Sequence, residues 1–145
     1  MKSHYRAVVI GGGVVGASTL YHLAKMGWND VVLVEKIEYT SGSTWHAAGL
    51  LPLFNMSYSV GKIHKYSVDL YQSLEEETGQ HVSFHKTGNL RLARNQERMD
   101  EYKRYCGTAS TIGVPFEMIG PAEIKKLGPF AKVDDLVGAL FHQDD

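Results

Sequence analysis

The chain has 145 residues, 43% of them hydrophobic, and a formal net charge of −1. That length fits one average domain with an ordinary core, and the near-neutral balance makes no case for nucleic acid or an anionic membrane surface as a partner. A single cysteine, Cys106, excludes an internal disulfide framework and agrees with a reducing compartment; its place on an apolar helix face makes it a buried structural thiol.

No apolar run approaches the roughly 20 residues that a membrane span needs. The first strand starts within a few residues of Met1, so no cleaved leader is expected, and the expected location is cytoplasmic, or the mitochondrial matrix if a leader had been removed.

Tyr5 to Ile10 reads as a short buried strand, followed at once by Gly11-Gly12-Gly13-Val14-Val15-Gly16. From Val14 to Met26 the apolar residues Ala17, Leu20, Leu23 and Ala24 recur at helical spacing, and Gly27 stops the helix. Val31 to Val34 is a second, β-branched strand ending at Glu35. Together these predict a β-α-β unit with parallel strands and a right-handed connection.

Lys36 to Ser59 is a long loop whose length marks it as functional. Val60, Ile63, Ser67, Leu70 and Leu74 then mark a helix ending near Thr78-Gly79. Val82–His85 and Asn89–Ala93 read as a hairpin about Lys86-Thr87-Gly88. Gln96 to Ile112 is an amphipathic helix, Pro121 opens a short one closed by Gly128-Pro129, and Leu136 to Phe141 is a last strand. The change from parallel α/β pattern to hairpin and helix places a domain boundary near Val82, giving 1–81 and 82–145. Two parallel strands cannot by themselves form a covered sheet, so the chain is expected to be a fragment of a longer protein.

The chemistry begins at Gly11-x-Gly13-x-x-Gly16, between strand and helix. Gly11 permits the tight turn, Gly13 lets backbone N–H groups approach a pyrophosphate, and Gly16 lets helix and strand pack closely. The helix N-terminus adds partial positive charge there. Glu35, 24 positions after Gly11, can accept hydrogen bonds from a ribose hydroxyl pair and would repel a 2′-phosphate, which Lys36 could soften. The motif does not separate NAD from FAD.

A few residues past the second strand stands Thr40-Ser41-Gly42-Ser43-Thr44-Trp45-His46-Ala47-Ala48-Gly49-Leu50. Ser43 and Thr44 can hydrogen-bond phosphate or ribityl oxygens, and Gly42 and Gly49 allow close backbone approach. Trp45 can cover a flat aromatic ring, and the His46 imidazole is a competent nucleophile toward an electrophilic flavin carbon. A loop histidine that merely hydrogen-bonds is the plain alternative. An NAD-dependent dehydrogenase would need a third parallel strand soon after Glu35, where this loop lies instead.

The stretches GGGVVGASTLYHLAKMG, VVLVEK, TSGSTWHAAGLL, TGNLRLARNQERMDEYKR and GALFHQDD resemble the FAD-dependent amine oxidoreductases of the dimethylglycine and sarcosine dehydrogenase type. The resemblance covers nearly the whole chain but only the N-terminal part of that family's longer protein. It implies an α/β fold, in which a Rossmann-like FAD-binding unit precedes the start of an α+β substrate domain in D-amino-acid-oxidase-like architecture. It also implies covalent FAD on His46 through the ring's 8α-methyl carbon. FAD contacts map onto Val14, Val15, Glu35 and Lys36, and onto Gly42, Ser43, Thr44, Trp45, His46, Ala47, Ala48, Gly49 and Leu50.

The implied activity is oxidative demethylation of an N-methyl amino acid, with oxygen or an electron-transfer flavoprotein as acceptor. Tetrahydrofolate would belong to a region far downstream. A non-catalytic regulatory relative of the same fold is a further alternative, disfavoured by the presence of His46. No catalytic acid or base is assigned, and residues 1–145 alone are expected to bind FAD poorly. The other histidines form no metal-ligand spacing. Arg91 and Arg94 could face a substrate carboxylate, with surface placement the plainer reading.

Overall fold

A computed structural model describes residues 2–145. In chain order the elements are β1 (Ala7–Ile10), α1 (Val14–Lys25), β2 (Val31–Val34), a 3-10 turn (Ser43–His46), α2 (Tyr58–Thr78), β3 (Asn89–Ala93), α3 (Gln96–Thr111), β4 (Glu117–Ile119), α4 (Pro121–Leu127) and β5 (Gly138–His142). They fall into two compact units, Met1–Leu50 and Leu51–Asp145.

In the first unit β1 and β2 pair in parallel, Ala7 opposite Val31 and Ile10 opposite Val34. Parallel strands need a crossover, and α1 supplies it. The helix ends as its sequence dictates. Gly27 takes φ +84, its N–H donates to the Ala24 carbonyl at 2.9 Å, and the Trp28 N–H donates to the Leu23 carbonyl at 3.0 Å. That pair of bonds is a Schellman ending, which glycine permits at no steric cost.

In the second unit a three-stranded antiparallel sheet has the order β3-β5-β4. Leu90 lies opposite Phe141, and Met118 opposite Leu140. One core gathers Val68 of α2, Tyr102, Tyr105 and Ala109 of α3, and Ala93 and Leu140 of the sheet. A smaller one joins Ile124 of α4 to Ile119 and Ala139. Cys106 is half-buried against the main core, and burial pushes its thiol pKa up.

Side chains at the helix starts satisfy backbone donors there. Asn95 accepts from the Arg98 N–H at 2.9 Å, and Glu123 reaches back to the Gly120 N–H at 3.0 Å. Helix α2 ends on Gly79 at φ +70.

One expectation is corrected. The hairpin between 82–85 and 89–93 does not form: Ser83 sits at φ +53, which breaks an extended run, and β3 pairs instead with β5. Gly88 serves that pairing, its N–H donating to the Asp145 carbonyl at 3.1 Å. Strand β4, unforeseen, forms because β5 has two edges to fill. Within the second unit α2 packs on α3: a Cβ on Gly61 would lie 2.7 Å from Ile112 Cδ1.

Among the described residues no helix is long and apolar enough to cross a membrane, and no group of histidine, cysteine and acidic side chains could hold a metal ion.

Candidate cofactor site

Strand β1 runs directly into the glycine loop. Gly11 takes φ +104, and its N–H donates to the Val34 carbonyl at 2.8 Å, so the loop stays registered on β2. A Cβ on Gly16 would lie 1.8 Å from the Gly11 carbonyl oxygen, a distance no side chain can occupy. Helix α1 therefore starts hard against the end of β1, with no side-chain cap at Gly13 and no acidic residue in its first turn. Those N-terminal N–H groups and the helix dipole suit an anion.

Glu35 closes one side. Its Oε2 accepts from the Gly12 N–H at 2.6 Å. Its Oε1 accepts from the Lys36 and Ile37 N–H groups at 2.6 and 3.1 Å. These backbone bonds, the Gly12 bond first, hold the carboxyl pKa below the usual glutamate range, and the Lys36 charge adds to them. The site thus keeps a fixed anion at the end of β2, whose remaining lone pairs can accept from a ribose diol.

An open cleft of about 620 Å³ joins the loop, Glu35 and the segment after it. Of the expected residues, Gly11, Gly13, Val14, Val15, Gly16, Glu35, Gly42, Ser43, Thr44 and Ala47 line it. Lys36, Trp45, His46, Ala48, Gly49 and Leu50 do not line it. Lys36 takes part through its backbone N–H.

His46 and Trp45 are exposed and share the turn with Ser43 and Thr44. Their rings are 4.7 Å apart. His46 Nδ1 lies 3.0 Å from the Gly42 carbonyl oxygen. A carbonyl only accepts, so Nδ1 donates this bond, and in the neutral ring Nε2 then holds the free lone pair.

Sequence reasoning missed Gly12 and Tyr39. A Cβ on Gly12 would lie 2.5 Å from Tyr39 Cδ1, and the Thr40 N–H donates to the Gly12 carbonyl at 3.0 Å. The middle glycine of the GGG run was the available signal for Gly12; nothing marked Tyr39. Thr19, one helical turn beyond Val15, also lines the cleft.

Residues 6–145 match the family model described as FAD dependent oxidoreductase. The chain belongs to that family. Dimethylglycine dehydrogenase, mitochondrial, of Rattus norvegicus is 46% identical over 99% of the chain, which spans 17% of that protein. Sarcosine dehydrogenase, mitochondrial, of Homo sapiens is 43% identical over 100% of the chain and 16% of the relative. Pyruvate dehydrogenase phosphatase regulatory subunit, mitochondrial, of Mus musculus is 40% identical over the same shares. The chain therefore spans about one sixth of the length of these relatives. Among solved structures, L-proline dehydrogenase from P. horikoshii superposes with a TM-score of 0.90 at 31% identity, covering 100% of this chain and 38% of that one. The α/β architecture with a Rossmann-like FAD-binding unit is thus that of FAD-dependent oxidoreductases.

The residues present fit the family's cofactor. A Cβ at Gly16 would strike the loop carbonyl, and one at Gly13 would lie 2.9 Å from Thr44 Oγ1. What remains is a backbone cradle of N–H donors for a pyrophosphate beside a carboxylate for a ribose.

Proposed function

We propose that this chain is the N-terminal, FAD-holding part of an oxidoreductase that oxidatively demethylates an N-methylated amino acid of the dimethylglycine or sarcosine type, with its FAD bound covalently through His46. Residues 1–81 then belong to the FAD-binding portion and 82–145 open the substrate domain. When bound, FAD supplies the two-electron oxidant for a C–H bond beside the substrate nitrogen. The chain's own residues do the holding: the Gly11–Gly16 loop takes the pyrophosphate, Glu35 the ribose, and His46 the flavin.

One observation carries the reading of His46. Its Nδ1–H is bound to the Gly42 carbonyl, which leaves the nucleophilic Nε2 without a hydrogen-bond partner among the described residues. The residues on either side of the Trp45-His46 pair, Thr44 and Ala47, line the cleft. The names of the dehydrogenase relatives supply the substrate class. Both relatives are named as mitochondrial, which favours the mitochondrial matrix over the cytoplasm for this protein. Oxygen or an electron-transfer flavoprotein would take the electrons, and tetrahydrofolate would act in a region outside these residues.

The regulatory-subunit relative favours a second reading, a non-catalytic protein of the same fold. Acid precipitation separates the two. Yellow colour that stays with the precipitated protein, and a flavin-bearing peptide containing His46, are expected; His46→Ala should release the colour. Flavin that remains acid-stable in His46→Ala would remove His46 from the role, and a colourless wild-type protein would favour the regulatory reading.

A further inference from the structure

Thr44 lies in the same turn as His46, yet its side chain is bonded outside that turn. The Val14 N–H, first in α1, donates to Thr44 Oγ1 at 2.9 Å. The approach is close enough that only glycine fits beside it: a Cβ on Gly13 would lie 2.9 Å from the same oxygen. Thr44 is half-buried, whereas Ser43, Trp45 and His46 are exposed.

Within the turn, the Ala47 N–H donates to the Thr44 carbonyl at 3.2 Å, and His46 Nδ1 binds the Gly42 carbonyl. The imidazole is thereby fixed to the turn, and the turn is fixed to α1 by one hydroxyl. Gly42 and Gly13, which flank these bonds, add no side chain that could do the same work.

We propose that Thr44 is a positioning residue: its hydroxyl clasps the turn to the first N–H of α1 and so sets where the His46 imidazole stands relative to the phosphate loop. This rests on His46 being the flavin attachment point and adds the residue that holds that imidazole in register. Serine keeps the acceptor oxygen. Valine keeps the branched shape but leaves the Val14 N–H without its partner.

The test compares wild type, Thr44→Ser and Thr44→Val, with unchanged far-ultraviolet circular dichroism as the check on folding. Amide exchange is read at Val14 without flavin, and the acid-stable share of bound flavin after loading with excess FAD. Thr44→Val should exchange the Val14 amide about tenfold faster, the effect of losing one hydrogen bond. Its acid-stable share should fall severalfold while total bound FAD changes less, and Thr44→Ser should restore both. Equal exchange in Thr44→Val and wild type overturns the clasp. Faster exchange with an unchanged acid-stable share overturns the positioning role alone. A wild type lacking acid-stable flavin overturns the His46 assignment and this inference together.

Discussion

Gly16 approaches Gly11 so closely that its α-hydrogen points at the Gly11 carbonyl, where a Cβ would sit 1.8 Å from the oxygen. Two effects compete on substitution. Alanine gains about 1 kcal/mol of helix propensity over glycine, but the clash is with backbone and cannot be relieved by a rotamer change. Gly16→Ala should therefore destabilise the protein by about 3 kcal/mol, as overpacking does, and abolish FAD binding. Gly107→Ala, in α3 with nothing within 4 Å of the new Cβ, should instead stabilise by up to about 1 kcal/mol. Urea midpoints of the two variants check both signs.

Glu35 gives the first unit an acid-sensitive joint. Its folded pKa is depressed by the Gly12, Ile37 and Lys36 N–H groups. A depressed carboxyl contributes stability that is present above its unfolded pKa and lost as pH falls through the folded one. Stability of wild type should decline as pH drops below about 4.3, the ordinary glutamate value. Glu35→Gln should show a shallower decline in acid and weaker FAD binding at neutral pH. Denaturant midpoints against pH, with flavin titration at pH 7, are the measurements. Matching acid slopes would show that the three bonds are not made in solution.

Tyr105 is fully buried and spans two backbone groups. Its hydroxyl donates to the Leu53 carbonyl at 2.9 Å and accepts from the Asn55 N–H at 2.9 Å. Tyr105→Phe keeps the ring contacts with Phe54 and Phe116 but strands both groups. The expected loss is about 1–3 kcal/mol, read from chemical denaturation. Local exchange at Asn55 should rise with it.

His142 is buried beneath Phe116, ring centroids 4.7 Å apart, and its Nδ1 accepts from the Asp144 N–H at 3.1 Å. Burial lowers its pKa and Lys86 pushes the same way, against Asp145 and Asp144. A histidine held neutral contributes stability above its unfolded pKa and loses it as pH falls through the folded one. Wild type should weaken as pH drops below about 6.5, and His142→Phe should flatten that part of the stability profile. An unchanged slope in the variant would assign the loss to other groups.

Much of this was legible in local pattern. The β-α-β unit, Gly27 as its helix stop, Gly79 after α2 and Pro121 opening α4 each follow from residues within one or two turns of one another. The phosphate loop was legible for the same reason: three glycines and an acidic residue at fixed spacing leave few conformations open. Strand β3 was legible as a strand but not in its partner. Its neighbour β5 lies some 45 residues on, paired Asn89 to His142 through Ala93 to Gly138, and nothing local in 82–88 forbade a hairpin until Ser83 took a left-handed backbone.

The glycine cradle, the carboxylate at the end of β2 and the family of the chain were all readable from the order of residues, because each rests on short motifs at fixed spacing. It took the folded chain to join β3 to β5, to bring Glu35 Oε2 onto the Gly12 N–H, and to send Thr44 rather than Ser43 to α1. Those outcomes turn on contacts between residues 23 to 53 positions apart, where chain closure and packing, not local propensity, select the partner.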